Sequence, residues 1–255
     1  MQGYNELLAG SPETGFSGKI VAAMTTQFML LALIPAAYLA GSIPFGLIVG
    51  MAKGVDPRQS GSGNIGATNV GRLLGMKYFA LVFSLDMLKG MLPMVAGSII
   101  LAQDGAAGER SATLNLLHLL IGFAGICGHM FSCFLRFTGG KGVATSAGVA
   151  LGLYPFFTFA GVIAIAVWAI FYAVTRYVSL ASLVAAIVFP LAFVALGFAL
   201  GWEPFGRQLP LFIFAVLVAV MIIVRHRSNI ARLRSGTESQ FSGKSPSPSP
   251  SGKAS

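Results

Sequence analysis

Apolar positions arrive in long blocks rather than in alternation. Residues 26–52, 90–103, 112–135, 156–175, 178–202 and 208–224 carry no Asp, Glu, Lys or Arg, and most approach the roughly 20 residues a helix needs to cross bilayer hydrocarbon. The pattern predicts an all-α polytopic integral membrane protein. Lys53, Arg58, Arg72 and Lys77 follow the first block, Arg136 and Lys141 the third, and Arg225, Arg227, Arg232 and Arg234 the last. The positive-inside rule places these three polar segments on the cytoplasmic side. The weakly acidic stretch around Asp104, Glu109 and Arg110 then lies outside. Between Lys141 and Arg225 the chain must cross an even number of times. Blocks 178–202 and 208–224 supply two crossings. Residues 142–175, split by Pro155 and ended by Arg176, supply two more if a short or re-entrant helix over about 142–154 precedes a full one. About seven spans result, with the N-terminus outside and the C-terminus inside.

Composition agrees with this reading. Hydrophobic residues make up 55% of the 255, charged ones 10%, and mean hydropathy is +0.79, too little polar surface for a soluble domain of this length. Residues 1–25, with Glu6, Pro12 and Glu13, lack the basic start of a cleaved signal peptide and read as a polar tail. Residues 26–238 read as a single transmembrane domain, and 239–255, with three Ser-Pro repeats, as a disordered cytoplasmic tail. Ile43-Pro44-Phe45-Gly46 lies inside the first span and reads mainly as a bend and a packing site. Cys127 and Cys133 form no CxxC pair and read as core residues. His118 and His129 read as structural. No metal, cofactor or nucleic-acid partner is expected.

Candidate chemistry sits in the three polar segments. Gly61-Ser62-Gly63-Asn64-Ile65-Gly66-Ala67-Thr68-Asn69-Val70-Gly71-Arg72 joins glycines, which let backbone N–H groups approach a ligand, to hydroxyl and amide donors and one cation. Thr68 and Arg72 are one i,i+4 step apart, so the segment predicts an anion site at a helix N-terminus. It is neither a Walker loop nor a dinucleotide fingerprint. Gly139-Gly140-Lys141-Gly142-Val143-Ala144-Thr145 repeats that logic with a lysine. In the last segment His226 and Asn229 are one i,i+3 step apart and share a face if the final helix continues past Arg225. Histidine is the one group there whose ordinary pKa, about 6.5, suits proton transfer near neutrality. Five residues after His118, His129 and His226 come Phe123, Phe134 and Ala231, so there is no H-x4-D acyltransferase pair.

Together these segments resemble the signatures of the bacterial acyl-phosphate:glycerol-3-phosphate acyltransferase family (PlsY). That family looks like GSIPFG, GSGNxGATNxxR, GHxFPxFLxFKGGKGVAT and RHxxNIxRLxxGxE. Here GSIPFG stands at 41–46, the second motif at 61–72 and the last at 225–238; the third reads GHMFSCFLRFTGGKGVAT at 128–145. Ser132 replaces a usual Pro and Thr138 a usual Lys, so altered loop stiffness and local charge are expected rather than lost activity. The resemblance implies a bacterial inner-membrane enzyme that moves a fatty acyl group from acyl phosphate to the 1-hydroxyl of sn-glycerol 3-phosphate, giving 1-acylglycerol 3-phosphate and phosphate. It implies Ser62, His226 and Asn229 at the reacting centre. Gly61, Gly63, Asn64, Thr68, Asn69, Arg72, Gly139, Gly140, Lys141 and Ser179 would bind substrate. Partners are the two substrates and membrane lipids; whether a soluble acyl-phosphate-producing enzyme docks at the cytoplasmic face is left open. The alternative, an organophosphate transporter, predicts a midplane site and internal repeats; no convincing repeat is visible.

Overall fold

The computed structural model describes residues 12–103 and 112–241; the long helices follow the apolar blocks, although α1 begins at Pro12, inside the expected polar tail, and two short helices lie in the polar segments. The expectations for residues 1–11, for the loop around Asp104 and Glu109, and for the tail from residue 242 lie outside the described residues. Among the described residues ten α-helices run in the order α1 (Pro12–Ser42), α2 (Phe45–Met51), α3 (Ala67–Leu74), α4 (Met76–Gln103), α5 (Ala112–Met130), α6 (Val143–Gly152), α7 (Phe156–Thr175), α8 (Val178–Leu200), α9 (Leu209–Arg225) and α10 (Arg227–Arg234). No strand occurs among the described residues. Five spans are long and apolar enough to cross a membrane, and a sixth appears if α9 and α10 count as one bent element. By length and composition the described helices thus give five or six spans rather than the expected seven, and α6 is the short apolar helix over the stretch expected to be short or re-entrant. Its 10 residues rise about 15 Å, half the thickness of the hydrocarbon.

Large apolar side chains face outward along these helices. Val174 is 79% exposed, and Phe28, Ile170, Leu191 and Phe198 all exceed 60%. A surface like this is stable against lipid tails and not against water. The protein is therefore a multi-pass membrane protein.

Two expectations change in detail, and the expected bend in the first span is present. The second span is Met76–Gln103, not residues 90–103. Lys77, Asp86 and Lys89 interrupt its apolar run, and the latter two are buried rather than exposed to lipid. The first span breaks at Ile43-Pro44, because Pro44 cannot donate to the preceding turn. The last helix does not continue past Arg225: α9 and α10 meet at 59°.

Close packing holds the bundle together. α5 lies on α1 through Gly41 and Gly125, and α6 lies on α4 through Gly148, where a Cβ would strike the backbone carbonyl of Met87. Such small-residue contacts are how helices approach when lipid offers no hydrophobic drive. Phe157, Phe193 and Phe214 interlock among α7, α8 and α9.

Candidate active site

The first glycine-rich loop is shaped from within. The Asn69 amide, 1% exposed, accepts the Ser62 N–H through Oδ1 at 2.8 Å and donates from Nδ2 to Pro57 O at 2.9 Å and Ser60 O at 3.0 Å. Asn64 Oδ1 accepts the Gly66 N–H at 2.8 Å, just where α3 begins. Gly61 and Gly63 have φ of 63° and 71°, conformations that cost a side chain energy. Asn69 thus spends its polar atoms on the loop, while Ser62, Thr68 and Arg72 line a cavity.

The second loop is shaped from outside. Arg225, at the end of α9, donates from Nη2 to Gly139 O at 2.7 Å and Gly140 O at 2.9 Å, and from Nε to Gly140 O at 3.1 Å. Gly140 N–H donates to His129 O at 3.0 Å, and a Cβ on Gly140 would strike the His129 ring. Behind His129, Asp86 and Lys89 form a buried pair at 2.8 Å. Lys89 Nζ also donates to Ile43 O at 2.7 Å, a carbonyl at the break between α1 and α2. His129 Nδ1 lies 3.7 Å from Asp86 Oδ1. The GSIPFG bend and the second loop are therefore connected through one ionic cluster.

A chain of contacts then crosses the cavity. Lys141 Nζ donates to Asn229 Oδ1 at 2.6 Å, and Asn229 Nδ2 donates to Glu238 Oε1 at 2.7 Å. Because an ammonium only donates and a carboxylate only accepts, the Asn229 amide can face just one way. Ser179 Oγ donates to the same Glu238 oxygen at 2.8 Å, and Arg232 Nε to the other at 2.7 Å. Burial pushes Glu238 upward, but hydrogen bonds from Asn229, Ser179 and Arg232 outweigh it and keep the carboxylate ionised. Burial brings Lys141 down to about 8, with Arg232, Arg72 and Arg225 adding to the effect against Glu238.

His226 sits at the bend between α9 and α10, 2% exposed. Its Nδ1 is 2.8 Å from Ile222 O. A carbonyl can only accept, so Nδ1 carries the proton and Nε2 is the ring's acceptor. Burial first, and Lys141 second, hold His226 down at about 4, so the ring is neutral at physiological pH.

The cavity, with about 700 Å³ of empty space, is lined by Ser62, Asn64, Thr68, Asn69, Arg72, Lys141, Ser179, His226 and Asn229 from among the expected residues. Gly61, Gly63, Gly139 and Gly140 shape the loops without lining it. Glu238, Asp86, Ser182 and the aromatic residues Phe79, Phe83 and Trp168 also line it, and sequence reasoning did not single them out; His129, read as structural, lines it too. A signal was present for Asp86 and Lys89: two ionisable residues three apart in an otherwise apolar helix. A second cavity of about 630 Å³ adjoins the first, sharing Phe83, Val143, Trp168 and Ser182, and runs between α6, α7, α8 and α9. Its walls are almost wholly apolar, with Ala147, Ala150, Gly161, Ala164, Ala185 and Ala186 leaving room along it.

A polar, cation-rich cavity open to a greasy one suits a substrate with an anionic head and an alkyl tail. Residues 30–236 match the family model for glycerol-3-phosphate acyltransferase. The chain belongs to the glycerol-3-phosphate acyltransferase family. Among its relatives, the glycerol-3-phosphate acyltransferase of Trichlorobacter lovleyi is 44% identical over 208 residues, covering 82% of this chain and 95% of the relative. That of Roseiflexus sp. is 43% identical, covering 83% and 95%. The crystal structure of PlsY, an integral membrane glycerol 3-phosphate acyltransferase, in its glycerol 3-phosphate form, superposes with a TM-score of 0.69 at 39% identity, covering 84% of this chain and 96% of that one. The glycine-rich loops and the cations Arg72 and Lys141 lie at helix ends, and the chain is an acyltransferase, not a transporter.

Proposed function

We propose that the enzyme transfers a fatty acyl group from acyl phosphate to the 1-hydroxyl of sn-glycerol 3-phosphate, at the cytoplasmic face of a bacterial inner membrane. The observation that carries this reading is the junction of the two cavities: Lys141 and Arg72 face the polar one, and the apolar one opens from it between α6 and α8. Both substrates carry phosphate, and two fixed cations serve them. The acyl tail lies in the apolar cavity, with its carboxyl carbon at the boundary.

In the reaction, the glycerol hydroxyl oxygen bonds to the acyl carbon, the bond from that carbon to the phosphate oxygen breaks, and inorganic phosphate leaves. The hydroxyl proton must move during this exchange. A histidine held at about 4 is a weaker base than a phosphate dianion, whose second pKa is about 6, and the departing phosphate oxygen grows more basic as its bond breaks. The donor phosphate therefore takes the proton of the 1-hydroxyl, and His226 Nε2, which can only accept, orients the acceptor by taking a hydrogen bond from its non-reacting 2-hydroxyl. Ser62 and Lys141 supply donors at the charge that develops on the acyl oxygen and on phosphate, so most of the acceleration is positioning and electrostatics. Asn229 and Ser179 act through Glu238 and Lys141, holding the lysine in place. The positive-inside pattern supports the cytoplasmic assignment.

The test is phosphate release by the purified enzyme from an acyl phosphate, with and without glycerol 3-phosphate. Release that requires the acceptor, with matching appearance of 1-acylglycerol 3-phosphate, is expected. Acceptor-independent release, or turnover with acyl-CoA alone, refutes the reading.

A further inference from the structure

Phe241 stands just past the residues matched by the family model, in a stretch whose composition reads as disordered tail, yet it is 1% exposed. Its N–H donates to Arg176 O at 2.9 Å, and its carbonyl accepts from Tyr172 Oη at 3.3 Å. Its ring lies 5.2 Å from Phe79 on α4 and 6.2 Å from Tyr172 on α7. Phe79 stacks on Phe83, Phe83 meets Trp168, and Trp168 stacks on Tyr172. The five rings form a closed circuit, and Phe241 is the member contributed by neither helix. Ahead of it, Gln240 Nε2 donates to Thr175 O at 3.3 Å, and Ser239 O accepts from Arg72 Nη2 at 2.8 Å. Beneath the Phe241 ring lies Gly71, where a Cβ would come within 2.9 Å of the ring and 2.6 Å of Phe79.

We propose that residues Ser239–Phe241 are a strap that pre-orders Arg72 for substrate phosphate, and that Phe241 is the positioning residue anchoring it. A long arginine side chain loses several rotamers when it is fixed on a ligand. The Ser239 carbonyl removes part of that freedom in advance by taking one guanidinium donor, and being neutral it leaves the positive charge available. Glu238 does not compete, because its oxygens are engaged by Arg232, Asn229 and Ser179. Arg72 Nε is buried without a hydrogen-bond partner among the described residues, so the fork is held with a donor to spare. The same anchor packs behind the aromatic wall of the polar cavity, formed by Phe79, Phe83 and Trp168, through its contact with Phe79. Gly71, one residue before Arg72, is the clearance that lets the strap lie against α3.

This inference rests on the reading of Arg72 as a phosphate ligand, and a double-mutant cycle separates the two. In the full-length enzyme, Phe241→Ala should raise KM for glycerol 3-phosphate or for acyl phosphate about tenfold while kcat falls about twofold or less. Phe241→Leu, which keeps an apolar anchor, should recover most of the loss. Arg72→Ala should raise the same KM, and adding Phe241→Ala to it should change KM less than about twofold, because the strap then has no arginine to hold. If Phe241→Ala leaves both KM values unchanged while Arg72→Ala raises one, the strap is refuted and the phosphate ligand stands. Equal factors from Phe241→Ala in both backgrounds also refute it, placing the ring's effect elsewhere. An unchanged KM in Arg72→Ala refutes both. Should Phe241→Ala not be recovered folded, Gly71→Ala crowds the ring from α3 and is run through the same cycle.

Discussion

The two glycine-rich loops have similar composition and opposite means of support. In the first, Asn69 reaches back to Pro57, Ser60 and Ser62, all within twelve residues. In the second, Gly139 and Gly140 are held by Arg225, some 85 residues later, and by His129 in front. Behind His129 stands the Asp86–Lys89 pair, joined to the break in the first span. A loop that positions itself can be recognised from its own residues. One that is positioned by distant helices cannot, and its cation, Lys141, is correspondingly tied to residues from elsewhere in the chain, Asn229 and through it Glu238.

The largest effect should come from cutting the outside support. Arg225→Ala releases two carbonyls from a charged donor, contacts worth about 1.5–3 kcal/mol each, and kcat/KM should fall by about 10²-fold in steady-state acyl transfer. Arg225→Lys should recover only part, since a point charge cannot serve two carbonyls as a fork does. Wild-type activity in Arg225→Ala would end the contrast between the loops. Asn69→Asp should come next. It keeps the shape but loses both donors to Pro57 and Ser60 and adds negative charge beside an anion site. We expect a loss of about 2 kcal/mol in thermal unfolding in detergent, with activity down about tenfold.

The cations also differ in how they titrate. Lys141 is depressed to about 8 from its ordinary 10.5, whereas Arg72, though lowered by burial, stays charged at any working pH. A depressed lysine penalises the fold while it must be held charged, so its contribution to stability improves as pH rises from about 8 towards 10.5. Phosphate binding runs the other way: it is intact below about 8 and is lost as the amine deprotonates. KM for the phosphate substrate held by Lys141 should therefore climb towards tenfold per unit above pH 8. In Lys141→Arg that rise should vanish. On the acid side, His226 is already neutral, so any limb near 6 belongs to substrate phosphate and should survive His226→Gln. A limb that disappears with His226 would return the proton to the histidine.

The smallest effects concern two family departures in the segment leading into the second loop. Ser132 Oγ donates to Ser42 O at 2.6 Å, beside the break after α1, so Ser132→Ala should cost about 1 kcal/mol. Thr138 is exposed and bonds only locally to Leu135 O at 2.5 Å. Thr138→Lys should change stability by less than about 0.5 kcal/mol and leave kcat/KM within twofold.

Much of the site was legible because its signals were local or motif-borne. Ser62, Thr68, Arg72, Lys141, His226 and Asn229 were named from three polar segments, and all six line one cavity. Asn69 was named as well, but its task inside the loop was not visible, since an amide's partners depend on a turn the sequence does not draw. Phe241 was lost in a tail of Ser, Gly and Lys, where a single aromatic carries no periodicity.

By itself the sequence determined that this is a helical membrane protein, because uninterrupted apolar blocks have no other stable home. It also determined that phosphate chemistry sits at the ends of those blocks, because glycines and cations cluster there. Tertiary structure alone decided that Lys77, Asp86 and Lys89 belong to a spanning helix, that α9 bends by 59° at His226, and that the second loop hangs from Arg225. Lys89 to Ile43 O, and Arg225 to Gly139 O and Gly140 O, are long-range pairings of polar groups. Each partner looks costly or ordinary on its own, and only the three-dimensional arrangement brings the partners within hydrogen-bonding distance.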